Sequence, residues 1–156
     1  MSLGLNPNRV TFLGLPDTMA PKSGTKFDAA VEAVMQVLGR SNAAMLFVTW
    51  EEDPHCDHQA SAELAKTVRR MSPGLELWAY PIWGWHLGAG VEIRQPAPKA
   101  VRIDIARYGD RKRNAIAAHA SQMTDLISND PGGFRFDEAS LAPFLGQYEY
   151  FIEVPL

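Results

Sequence analysis

Apolar residues recur along this chain with two alternating periods, one of strands and one of helices. Arg9 to Leu15 (Arg-Val-Thr-Phe-Leu-Gly-Leu) is a short β-rich run stopped by Pro16-Asp17, and it reads as a first strand. A Pro/Gly/Ser loop, Met19 to Thr25, follows. Phe27, Val31, Val34, Met35 and Leu38 then recur at helical spacing, with Gly39 at the stop. Ala43 to Trp50 is nearly continuous in apolar residues, the pattern of a strand buried on both faces of a parallel sheet. Ala60, Leu64, Ala65, Val68 and Met71 mark one face of a second helix, which Ser72-Pro73-Gly74 ends. Leu75 to Tyr80 predicts a strand closed by Pro81. Val101 to Ile105 alternates with Arg102 and Asp104 and predicts a half-exposed strand. Asp110 is placed to cap a helix running to about Ile127, with Ile116, Ala120, Met123 and Ile127 as its stripe. Asn129 to Gly133 is a loop signal, Glu138 to Leu145 a short helix, and Tyr148 to Val154 a final strand. This alternation predicts a layered α/β fold with a mostly parallel sheet, in a single domain over residues 1–156.

Composition narrows the function classes. A net charge of −3 implies no broad basic field, so nucleic acid is not an expected partner. No run approaches the roughly 18 apolar residues that span a bilayer, and Met1 to Asn8 lacks the regions of a signal peptide. A single cysteine, Cys56, excludes an internal disulfide and suits a reducing, cytoplasmic setting.

The densest chemistry lies in Trp50-Glu51-Glu52-Asp53-Pro54-His55-Cys56-Asp57-His58, which holds two of the four histidines. It falls where a strand ends and a helix begins, the place where open α/β sheets bind ligands. A histidine there is free to bind a metal or to move a proton; the plainer reading is a polar loop with Asp57 as a helix cap. Right-handed crossovers would put the Asp17 loop on the same sheet edge, although Asp17 by itself reads as a turn residue. Ile82 to Gly90 is too Gly-rich for a helix. Its Trp83, Trp85 and His86 fit either core packing or a loop wall stacking on a sugar ring. Cys56 is expected to point into the sheet–helix junction as a small hydrophobe, and His119 to sit in the core or at its boundary. No Gly-x-Gly-x-x-Gly follows the first strand, which weakens a nucleotide-binding reading.

Taken together, these segments resemble the PIG-L / LmbE-like zinc-dependent N-acetyl-sugar deacetylases. Phe12 to Asp17 resembles that family's strand-plus-Asp segment. Asp53-Pro54-His55-Cys56-Asp57-His58 resembles its His-Pro-Asp-His motif, with Cys56 in place of the usual Pro. Tyr80-Pro81-Ile82-Trp83, the set Lys112, Ala115, Ile116, His119, Ser121 and Gln122, and Glu149 with Phe151 resemble later segments. The family's opening His-Pro-Asp-Asp-Glu motif does not occur here, so the chain looks like the C-terminal portion of such a domain. The resemblance implies a three-layer α/β/α, Rossmann-like fold with its N-terminal unit missing. It implies His58 as a zinc ligand and His55 as the group facing the oxyanion or the leaving nitrogen. Asp57 would orient a neighbouring histidine, and Asp17 would accept bonds from sugar hydroxyls. Trp83, Trp85 and His86 as a cleft wall are an inference from composition. The implied substrate is an N-acetylated amino sugar or glycoconjugate, with zinc as cofactor and homo-oligomerisation allowed by exposed aromatics. Without the opening motif, the chain alone is expected to hold little zinc and to lack activity. The alternative is a non-catalytic sugar-binding or interaction module that keeps the cleft without the metal.

Overall fold

The computed structural model describes residues 3–88, 90–92, 99–127, 129 and 134–155. The chain divides into two compact units, one formed by 12–102 with 150–156 and the other by 1–11 with 103–149.

The first unit is mixed α/β. Helix α1 (Thr25–Ser41) places Phe27, Ala30 and Val31 on one buried stripe at the i, i+3, i+4 spacing. It ends at Asn42, whose left-handed backbone stops the helix as an αL cap does. Strand β1 (Met45–Thr49) leads into helix α2 (Cys56–Met71), and strand β2 (Glu76–Tyr80) returns alongside β1 in parallel, Met45 opposite Glu76 through Thr49 opposite Tyr80. Phe27, Ala30 and Val31 of α1 meet Leu64 and Val68 of α2 and Leu75, with Leu46 of β1 packed against them. Leu77 and Ala79 of β2 are buried as well.

Strand β3 (Ala100–Asp104) and strand β4 (Tyr148–Glu153) complete a four-stranded sheet in the order β1-β2-β4-β3. The sheet is mixed rather than mostly parallel, because β4 runs antiparallel to β2, with Trp78 opposite Glu153. Nor is β1 buried on both faces: Met45 is 51 % and Phe47 46 % exposed. The core-facing side of the strand carries Leu46, whereas Phe47 lies on the other face and meets Phe151 edge-on at 5.0 Å. The expected strand at Arg9 to Leu15 does not form. Pro7–Arg9 is a single 3-10 turn capped by Asn6, and the residues after it are irregular, with Gly14 at φ 64°. A positive φ takes the chain out of the extended region, and Pro16 removes a ladder donor.

In the second unit, the helix expected from Asp110 to Ile127 is two pieces, α3 (Gly109–Ala117) and α4 (Ala120–Met123). Asp110 lies in the first turn of α3 and is not its cap, which is Tyr108. His119 precedes α4 at ψ 63° and is exposed, not a core or boundary residue. Neither helix buries a residue, so no packing holds the two in one line. Helix α5 (Glu138–Leu141) is capped by the Asp137 carboxylate, which accepts from Ser140 N, and a 3-10 turn over Ala142–Leu145 follows. Lys112 pairs with Glu149 at 2.6 Å in this unit. The loop signal at Asn129 to Gly133 lies, apart from Asn129, outside the described residues. No helix among the described residues is long and apolar enough to cross a membrane.

Candidate functional site

The site is built where β1 hands over to α2. The first β1-side anchor is Thr49, whose hydroxyl donates to the carbonyl of His58 at 3.0 Å and ties the strand end to the first turn of the helix. The chain then turns at Trp50, with Asp53 N donating to Trp50 O at 3.1 Å. The turn carries Asp53 inward until none of its surface is exposed.

A fully buried carboxylate is costly unless each oxygen is satisfied. Asp53 meets that requirement with four donors. Oδ1 accepts from the backbone N–H of His55 at 3.2 Å and from Nδ1 of His58 at 2.8 Å. Oδ2 accepts from the backbone N–H groups of Ile82 at 2.9 Å and Gly84 at 3.1 Å. Burial pushes the Asp53 carboxyl up, but the bonds from His58, Ile82, His55 and Gly84 outweigh it and hold the group below its ordinary value. Asp53 is therefore ionised at neutral pH, and the proton shared with His58 resides on Nδ1. The other ring nitrogen, Nε2, then presents a lone pair, and the side chain keeps 22 % of its surface exposed. A carboxylate holding the far nitrogen of a histidine in this way fixes its tautomer and raises its basicity as a ligand.

His55 occupies a different position. It is the N-cap of α2, and its Nδ1 accepts from Asp57 N at 3.2 Å. A neutral His55 thus carries its proton on Nε2, so it presents a donor where His58 presents an acceptor. The two rings lie 4.7 Å apart, tilted by 35°.

The Asp57 carboxylate is bonded to the preceding loop and not to a histidine ring. Its Oδ2 accepts from Thr18 N at 2.6 Å and its Oδ1 from Ala20 N at 3.0 Å. These bonds, that from Ala20 foremost, hold its carboxyl below the ordinary value. Cys56 donates from Sγ to Thr18 O at 3.3 Å and is exposed, so it is not a hydrophobe in the sheet–helix junction. Lys22 Nζ adds a bond to Gln59 Oε1 at 3.0 Å. Cys56, Asp57 and Gln59 of α2 therefore clamp the Asp17 loop to the helix start through Thr18, Ala20 and Lys22. Asp17 is brought there by these clamps and not by a preceding strand.

The aromatic segment reaches the same hub from the other side. Trp83–His86 forms one 3-10 turn, a helical turn where the glycines predicted none. The backbone N–H of Gly84 at its centre is the one that Asp53 holds. Trp83 stacks near His86 at 5.7 Å, and Trp85 meets Tyr150 edge-on at 5.4 Å. Gly84 is required by space: a Cβ there would come within 3.0 Å of the Trp50 ring and 3.1 Å of Pro81 Cβ. One cleft beside the cluster is lined by Trp50, Pro54, Gln59 and Leu87 among others.

The donor set fits zinc at one position. His58 Nε2 is an oriented nitrogen ligand. His55, Cys56 and Asp57 offer atoms within 4.8 Å of one another, but Asp57's oxygens and His55 Nδ1 are already engaged by backbone N–H groups. A zinc site takes three or four protein ligands in near-tetrahedral array, so this cluster supplies one ligand and not a shell. The residue that sequence reasoning passed over is Asp53. It was visible as a carboxylate two residues before His55, but nothing in spacing said that it and not Asp57 would orient a histidine. Comparison with known protein families and with curated protein sequences finds no match for this chain.

Proposed function

We propose that this chain carries the histidine side of a metal-dependent amide hydrolase that removes the acetyl group from an N-acetylated amino sugar. The observation supporting this reading is the Asp53–His58 pair, in which a wholly buried carboxylate holds Nδ1 and leaves Nε2 as an accessible lone pair. The resemblance of the His55–His58 segment to the deacetylase motif supports the same chemistry. On this reading the fold is the Rossmann-like, three-layer type. The exposed Met45 and Phe47 also favour association of copies through β1, an edge strand of the sheet.

His58 would hold zinc through Nε2. When bound, zinc lowers the pKa of a water toward about 7 and polarises the amide carbonyl. His55, with its proton on Nε2, donates to the developing oxyanion or to the leaving nitrogen. Asp57 acts at one remove by fixing the 18–20 backbone, which presents Asp17 to sugar hydroxyls. Trp83, Trp85 and His86 supply aromatic surface for the sugar ring from a turn anchored on Asp53.

Two variants test this reading, each assayed for zinc affinity and for amine release from N-acetylglucosamine under saturating zinc. His58→Ala is expected to abolish the weak zinc binding that one protein ligand allows. In a protein that supplies the remaining zinc ligands, His55→Ala is expected to keep zinc and to lower kcat by roughly 10²-fold or more, the scale of an acid or oxyanion partner. Zinc binding indifferent to His58→Ala would overturn the metal assignment. Zinc bound through His58 with no amine release would leave a sugar-binding module in place of an enzyme.

A further inference from the structure

A cavity of about 190 Å³ lies between the loop that precedes α1 and the packed elements of the first unit. β1 lines it with Leu46 and Val48, α2 with Leu64, and the loop with Leu13 and Leu15. Ser61 is the one polar side chain among its described lining residues, and none of them is charged or aromatic. Ser61 is exposed, which puts it at the rim. Protein interiors are close-packed, and an apolar void of about 150 Å³ stays dry and accepts an apolar molecule. A charged group here would be desolvated with no partner, so the lining selects a neutral ligand. The two sides of the loop are held differently. Ala20 and Lys22 are strapped to α2 through Asp57 and Gln59. Leu13, Gly14 and Leu15 have no hydrogen bond among the described residues, and Gly14 sits at φ 64°. One wall is thus pinned by polar bonds, while the other rests on apolar contact alone and is free to adjust around a guest.

We infer that this cavity binds an uncharged aliphatic chain of about six carbons, the size class that a void of this volume admits, with any polar end of the ligand left at the Ser61 rim. An aliphatic chain suits it better than an aromatic ring, because no lining residue offers a ring to stack on. The inference uses no residue of the histidine cluster and stands apart from the deacetylase reading.

The probes are the straight-chain primary alcohols from propanol to octanol, titrated into the purified chain and followed by methyl NMR. Saturable shifts are expected at Leu13, Leu15, Leu46 and Val48. Affinity is expected to rise about fourfold with each added methylene, the worth of one buried CH₂, and to level off at about six carbons. Ser61→Leu, which puts an apolar side chain at the exposed rim, is expected to weaken hexanol about tenfold, the scale of two methylenes left outside. The chain-length series uses the parent protein, so it decides the matter even if that variant disturbs folding. Affinity that ignores chain length overturns the inference. So do shifts confined to the exposed Met45 and Phe47, or unchanged hexanol binding in a folded Ser61→Leu. Leu15 and Val48 signals that follow protein concentration and resist hexanol would assign the cavity to a second copy of the chain, and would overturn it equally.

Discussion

Asp53 combines a charge, complete burial and four donors, so its removal should be felt throughout the site. Asp53→Ala leaves His58 Nδ1 and the N–H groups of Ile82 and Gly84 without their acceptor. Breaking a buried charged pair in this way costs about 3–5 kcal/mol, readable as a fall in urea midpoint. The pH dependence has a definite sign. The folded-state pKa of Asp53 lies below its ordinary 3.8, so its contribution is fully present above that value and is lost as pH falls through the lower, folded value. Asp53→Asn should therefore flatten the acid limb of a stability–pH curve; an unchanged limb would mean that other carboxylates govern it. Asp57 predicts a local effect instead. Asp57→Ala should speed hydrogen exchange at the Thr18 and Ala20 amides, with Leu77 and Ala79 in β2 as slow internal references. Spacing made the two carboxylates look interchangeable. Asp57 is inside the helix, with its oxygens turned outward to a loop, while Asp53 lies before it, and only the Trp50 turn decides that it reaches back to His58.

At the level of elements, α2 and the 3-10 turn at Trp83–His86 are coupled because both hang on Asp53. Gly84→Ala should press on the Trp50 ring and on Pro81. Overpacking of this kind costs about 1–3 kcal/mol, and a shifted Gly84 N–H would also loosen Asp53 Oδ2. Urea unfolding followed by tryptophan fluorescence measures the loss; a variant as stable as the parent would show that the turn relaxes freely. The elements α1, β1, α2 and β2 were legible in the sequence because each has a sustained apolar period that ends in the buried cluster of Phe27, Val31, Leu64, Val68 and Leu75. The pattern failed where no burial backs it. Ile116 and Met123 have helical spacing, yet α3 and α4 bury nothing, and the line breaks at His119. The Arg9–Leu15 run has β-forming residues, but Gly14 takes a positive φ that a strand does not accept.

On the scale of the molecule, the α/β class followed from the alternation of periods, while the direction of β4 did not. Antiparallel pairing with β2 depends on which neighbour the last strand reaches, and hydrophobic pattern carries no such information. The open β1 edge, with Met45 and Phe47 exposed, predicts weak self-association. Phe47→Lys should shift sedimentation toward monomer without lowering the urea midpoint by more than about 1 kcal/mol, as expected for an exposed edge.

The central claim is that Asp53 holds His58 in the tautomer that offers Nε2 to a metal. The most direct measurement is nitrogen-detected NMR of the four histidine rings during a zinc titration. The account predicts His58 protonated on Nδ1 before metal, zinc shifting its Nε2 first, His119 unmoved, and loss of the response in His58→Ala. A His58 ring protonated on Nε2, or zinc engaging His119 while His58 stays unchanged, would contradict it.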